Sequence, residues 1–271
     1  MTIESPTTIP NYLADLRLKN KGFIVFGAGP GIGDQTCHAL SQAGAKVLCV
    51  DIDAKLAKAT AKQINGHAMQ ADVTQRSEMK KIFAKADKLF GKTFYGLVDV
   101  VGIANIGAIP SFDDDALTRQ FDLVYRHAFM AVQIGAPMLA KNGGGVLTFI
   151  GSISGLATLP NHTIYGSAKA ALHQMVRYAA QEFGPCGIRV NAIAPGYTRT
   201  PRILAHRTPE MWQAIDDSNP LRRGGNPQDV ARVALFLSSN LAKYVTGNIL
   251  TLDGGVSNAT SIPRLGMPVK K

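Results

Sequence analysis

The chain is short of cysteine. Cys37, Cys49 and Cys186 are its only three, far apart over 271 residues. An odd and dispersed set provides neither a disulfide framework nor metal-ligand spacing, and it points to the reducing cytoplasm. The chain's first stretch, "MTIESPTTIPNYLADLRLKN", has no apolar core of signal-peptide length. No apolar run approaches the length of a membrane helix. Internal repeats and low-complexity linkers are absent. Acidic residues are in the minority, 19 against 29 Lys and Arg, leaving a net charge of +10. The bases are dispersed, however, and the densest helical set (Lys80, Lys81, Lys85, Lys88) is interleaved with Glu78 and Asp87. Such an excess bears on solubility and non-specific association, so neither nucleic acid nor membrane is expected as a partner.

What the chain does have is alternation. Buried-strand runs at 22–27, 45–51, 67–72, 95–102, 144–152, 187–195 and 247–255 are separated by helical patterns at 31–43, 54–64, 78–90, 113–141, 162–183 and 227–239. Continuous apolar strands between helices predict an α/β architecture, a mostly parallel seven-stranded sheet covered on both faces. We read residues 1–271 as one domain, with a core over about 19–256, an N-terminal extension over 1–18 and a tail over 257–271. The tail is expected to be mobile or to pack on a partner subunit. Residues 196–226 are the longest stretch outside the alternation and read as a lid.

The first strand runs into "GAGPGIG", with Gly27, Gly29, Gly31 and Gly33, and a helix follows. Glycines there let the backbone approach a pyrophosphate, and the helix N-terminus offers it free N–H groups. Asp51 ends the second strand, 18 residues past Gly33. An acid there can accept from the adenosine ribose hydroxyls and repels a 2′-phosphate, which favours NAD over NADP. The alternative, a cap on the next helix, suits Asp53 better. Asp72 either faces the adenine or forms a turn.

Tyr165 and Lys169, four apart in "YGSAK", share one helix face. Ser152 ends the preceding strand, at the sheet edge where ligands bind. Hydride transfer at a carbinol carbon needs a proton to leave or join its oxygen. A tyrosine has a reference pKa of about 10, and a nearby ammonium favours its phenolate. On this reading Ser152 holds the substrate oxygen, Tyr165 is the acid–base and Lys169 tunes it and clamps the ribose.

Taken in order, "GAGPGIG", Asp51, Ser152, "YGSAK", "RVNAIAPGYTRTP" and "VTGNILTLDGG" are similar to the motifs of the short-chain dehydrogenase/reductase family over nearly the whole chain. The resemblance implies a three-layer, doubly wound Rossmann fold, the Ser–Tyr–Lys site and a homotetramer or homodimer, and Asp51 makes NAD the expected cofactor. The resemblance also implies that "PGYTRT" holds the nicotinamide carboxamide through the Thr198 backbone and the Thr200 hydroxyl. The expected cofactor contacts are therefore Gly27, Gly31, Ile32, Gly33, Asp51, Ile52, Asp72, Val73, Gly102, Tyr165, Lys169, Pro195, Gly196, Thr198 and Thr200. Three departures stand out. Phe26 replaces the Thr usual before the first glycine, and "DVVG" (99–102) stands where the family has "NNAG". Val124 occupies the position of an Asn that, in the family, helps hold a water behind the lysine. A backbone carbonyl, or Arg126 or His127, compensates, or turnover is reduced.

The substrate pocket is expected from Ile103, Ile106, Ile153, Leu159, His162, Tyr197, Ile203, Leu204, Met211 and Trp212, with Ser152. These are mostly apolar, which favours a cyclic, terpenoid, steroid or aryl-alkyl secondary alcohol or its ketone. Arg199, Arg202, Arg207, Arg222 and Arg223 make the lid basic, either to hold an acidic group or to face water. The leading expectation is an NAD-dependent alcohol dehydrogenase. A 3-oxoacyl thioester reductase and a non-catalytic NAD-binding regulator are the alternatives.

Overall fold

The computed structural model describes residues 7–258. The tail beyond 258, and with it most of the predicted mobile or subunit-packing segment, lies outside the described residues. Within them the chain runs α1 (Tyr12–Asp15), β1 (Gly22–Phe26), α2 (Ile32–Gln42), β2 (Lys46–Asp51), α3 (Ala54–Gln63), β3 (His67–Gln70) and α4 (Arg76–Phe90). It continues with β4 (Phe94–Asp99), α5 (Asp114–Phe121), α6 (His127–Lys141), β5 (Gly145–Ile150), α7 (Thr163–Phe183) and β6 (Ile188–Pro195). Two short lid helices follow, α8 (Pro201–Leu204) and α9 (Pro209–Ser218), then α10 (Pro227–Ser238) and β7 (Ile249–Leu252).

The seven strands form one parallel sheet in the order β3-β2-β1-β4-β5-β6-β7. Strand order reverses between β1 and β4, so the crevice for a ligand opens beyond their C-terminal ends. β1, β5 and β6 are buried along their whole length, as a sheet covered on both faces requires. Alternate side chains of β1 serve different cores. Phe23 and Val25 pack with Leu40 and Leu237 on the α2 and α10 side. Ile24 and Phe26 pack with Phe83, Leu139 and Val176 on the α4, α6 and α7 side. Phe26 meets Phe83 edge to face, so the residue that departs from the family pattern has become core. Burying such a side chain contributes about 1.5–3 kcal/mol.

The strands predicted over 67–72, 95–102 and 144–152 leave the ladder at Gln70, Asp99 and Ile150. Their last residues turn instead into the loops at the crevice. The continuous helix predicted over 113–141 is also interrupted. A π turn, Asp122–Arg126, joins α5 to α6, with the His127 N–H donating to the Asp122 carbonyl. Such a turn inserts one residue into the helix and re-aims the residues that follow. Val124 and His127 are both buried there.

The lid is tied at its root. Thr198 bridges Gly225, and the Asp216 carboxylate takes Arg199 at 2.6 Å and the Gly224 N–H at 2.7 Å. Asn219 donates to the Asp253 carbonyl at 2.8 Å. Among the described residues no helix is long and apolar enough to cross a membrane.

Candidate active site

At the C-terminal edge of the sheet lies a cleft of about 660 Å³. One end is the glycine turn. Gly27 and Gly31 have φ of +70° and +121°, conformations open to glycine at little cost. A Cβ on Gly33 would collide with the Gly27 carbonyl, so helix and strand can meet this closely only with glycine. The Asp51 carboxylate borders the turn, accepting the Gly29 N–H at 2.9 Å and the Asp53 N–H at 3.0 Å. Asp53, not Asp51, caps α3 through the Lys55 N–H. A bare glycine turn at a helix N-terminus with a carboxylate beyond it fits a dinucleotide, diphosphate on the turn and ribose on the acid.

The other end holds the serine, tyrosine and lysine. Ser152 leaves β5 in an extended conformation, and its Oγ accepts the Ser154 N–H at 3.1 Å, which leaves its own O–H to donate. Tyr165 and Lys169 stand one turn apart near the start of α7. Burial pushes the Tyr165 phenol up to about 12, opposed by its hydrogen bond with Ser152. Burial pushes the Lys169 ammonium down to about 8, opposed by the Asp99 charge. The Lys169 Nζ donates to the Ile150 carbonyl at 2.6 Å and lies 5.7 Å from the Tyr165 ring centre. Burial, rather than the neighbouring ammonium, sets the direction of the Tyr165 shift. The resting pair is a neutral phenol beside a largely charged ammonium.

The ground behind Lys169 is unusual. A Cβ at Gly102 would approach Nζ to 2.9 Å, with the Val124 side chain beyond. Asp99 is buried, pairs with His127 Nε2 at 2.9 Å and accepts the Val101 N–H at 3.1 Å. The altered "DVVG" thus carries a buried carboxylate–imidazole pair beside the lysine. His173, also buried, accepts the Ser152 N–H on Nε2 at 3.5 Å. Burial, and next the Lys169 charge, hold its imidazolium down to about 4.

Most of the expected contacts line this one cleft: Gly27, Ile32, Gly33, Asp51, Gly102, Ser152, Ile153, His162, Tyr165, Lys169, Pro195, Gly196, Tyr197, Thr198 and Thr200. Gly31 sits in the turn itself, with Thr200 and Pro201 nearest to it. Five expected contacts lie off the cleft wall or are otherwise engaged. Ile52 is exposed and does not line the cleft. Asp72 folds into a turn, its carboxylate accepting the Thr74 N–H at 2.9 Å and hydroxyl at 2.7 Å, and Val73 is core. Trp212 is buried in the lid root, under the Arg199 guanidinium at 4.2 Å and against Gly224. The Thr200 hydroxyl caps α8 through the Ile203 N–H at 3.3 Å. His162 fixes its ring on the Pro160 carbonyl at 2.6 Å, so Nδ1 carries the proton.

Residues the sequence reading did not single out include Pro30, Leu56 and His206, all in the cleft wall, and His173 behind Ser152. For His173 a signal existed, since it lies four residues beyond Lys169 on one helix.

A cleft of this kind, on a doubly wound sheet, defines a dinucleotide-type oxidoreductase. A family model described as enoyl-(acyl carrier protein) reductase matches residues 27–257. The 7α-hydroxysteroid dehydrogenase of Escherichia coli strain K12 is 39% identical over 249 residues, covering 89% of this chain and 96% of that protein. The 3-oxoacyl-(acyl-carrier-protein) reductase of Thermotoga maritima is 30% identical over 247 residues, 89% of this chain and 99% of its own. A solved 7α-hydroxysteroid dehydrogenase, in complex with NADH and 7-oxo glycochenodeoxycholic acid, superposes with a TM-score of 0.85 at 36% identity, covering 90% of this chain and 96% of that one. The chain belongs to the short-chain dehydrogenase/reductase family. It is an oxidoreductase of hydroxyl and keto groups.

Proposed function

We propose that this single-domain chain interconverts a hydrophobic secondary alcohol and its ketone with NAD, as a homo-oligomer in the cytoplasm. The observation that carries the reading is one continuous cleft with Asp51 at one end and Ser152, Tyr165 and Lys169 at the other, walled between by Ile103, Ile106, Leu159 and Ile203. The Gly27–Gly33 turn would hold the diphosphate and Asp51 the ribose hydroxyls. When bound, the nicotinamide supplies or removes the hydride.

The rest is work for the chain's own side chains. Ser152 donates its O–H to the substrate oxygen and keeps it beside Tyr165. The Tyr165 oxygen gives a proton to that oxygen in reduction and takes it in oxidation. A phenol near 12 carries its proton at neutral pH, as the reducing direction requires. In the oxidising direction the charge on Lys169 stabilises the phenolate that must form. Ile150 and Asp99 keep Lys169 in register for this task.

The test is a panel of neutral cyclic, steroid and aryl-alkyl secondary alcohols, followed at the nicotinamide absorbance. Tyr165→Phe should lower kcat by about 10²–10⁴-fold while NADH still binds. A parent that binds NAD but oxidises nothing in the panel points to the non-catalytic reading. A second enzymatic reading, reduction of a 3-oxoacyl thioester, draws on the Thermotoga maritima relative. Asp51 speaks against its customary NADPH, and a 3-oxoacyl thioester assay with each cofactor separates the two.

A further inference from the structure

The lid cations divide sharply. Arg199 is taken by Asp216 at 2.6 Å and stacks on Trp212. Arg223 is paired with Asp229 at 2.6 Å, and Arg222 donates to the Asp217 carbonyl at 2.7 Å. The side chains of Arg202, His206 and Arg207 have no hydrogen bond or ion pair among the described residues. All three line the cleft, whose single carboxylate is Asp51, by the glycine turn. Arg207 is half-buried, its guanidinium held 4.8 Å over the Tyr197 ring. A planar cation pre-set on an aromatic face, with its donors unused, is a fork for a carboxylate or sulfonate. The walls between it and Ser152 are apolar.

We propose that the substrate carries an anionic group on its apolar body, bound by Arg207 with Arg202 at the lid mouth while its hydroxyl or keto group meets Ser152 and Tyr165. This rests on the secondary-alcohol reading above and narrows it to amphipathic hydroxy or keto acids. The same cations could serve a different anion, the dinucleotide's own diphosphate, because α8 begins against Gly31. The experiment separates the two.

The probes are two acid and methyl-ester pairs: 4-(1-hydroxyethyl)benzoic acid and its ester, and chenodeoxycholic acid and its ester. For each, kcat/KM is measured in the parent, Arg207→Gln and Arg202→Gln, with NADH affinity read by fluorescence titration. The parent should prefer the acid of at least one pair, and Arg207→Gln should erase that preference by about 10- to 100-fold, as loss of a charged hydrogen bond predicts. NADH affinity should hold. Arg207→Glu should penalise the acid further, and a thermal melt checks that each variant is folded. Esters turned over as well as acids overturn the anion site and leave the alcohol reading standing. So does an acid preference that survives both Gln variants, or a loss confined to NADH affinity. Turnover of neither acid nor ester, with the neutral panel also inert, withdraws both.

Discussion

His173 makes the stability of this protein fall in mild acid, by an amount that can be worked out. Its imidazolium is held down to about 4 by burial and by the Lys169 charge, whereas an unfolded histidine titrates near ~6.5. The folded state therefore binds fewer protons than the unfolded state between those values. Stability contributed by the neutral ring is complete above ~6.5 and is lost as pH falls toward about 4. At about 1.4 kcal/mol per pH unit the whole loss is about 3 kcal/mol, and about 2 kcal/mol of it is gone by pH ~5. His173→Gln removes the titration and keeps an acceptor for the Ser152 N–H. Urea unfolding of parent and variant is compared at pH ~7 and pH ~5, at one protein concentration. Carboxylates common to both cancel in the difference. The parent should lose about 2 kcal/mol more than the variant, or about 4–8 °C in Tm. Equal pH slopes would refute the argument, whatever the variant's stability at neutral pH.

Other outcomes follow from the same coordinates. The parent should prefer NAD to NADP, and Asp51→Ala should narrow that preference in titrations with both cofactors; equal affinities in the parent count against Asp51 as the ribose ligand. Gly33→Ala drives a methyl into the Gly27 carbonyl, so NADH affinity should collapse, with a stability cost of about 1–3 kcal/mol in a denaturant melt. Asp99→Asn removes the charge that supports the Lys169 ammonium, so its pKa should fall further below its present value of about 8. Any limb of the kcat/KM profile that follows Lys169 deprotonation should then move to lower pH, with NADH affinity retained.

Local pattern carried much of this protein into view. The strand runs, the glycine turn and the Tyr–Lys spacing are each written in adjacent residues, because burial on both faces, a positive φ and a shared helix face are local demands. The misses lie where the outcome is set across the fold. The π turn at Asp122–Arg126 answers to packing of α5 and α6, not to helix propensity. Asp72 had two short-range options, and the hydroxyl of Thr74 two residues on decided for the turn. Trp212 reads as a pocket lining until Arg199 and Gly224, distant in sequence, close over it. The upward push on the Tyr165 phenol depends on how much of the fold covers it, which no spacing reveals.

The tied root of the lid has a consequence for the order of events. Thr198, Arg199 and the Asp216–Gly225 side are bound to one another, while among the described residues Arg202 to Arg207, between them, are held only by local bonds to Thr200–Ile203 and by Arg207 on the Tyr197 ring. The middle of the lid can therefore lift off the apolar wall while the backbone at Pro195–Thr198, expected at the nicotinamide, stays where it is. A product can depart through that opening before the dinucleotide loses its grip. Such a hinge would favour sequential traffic, with coenzyme first in and last out.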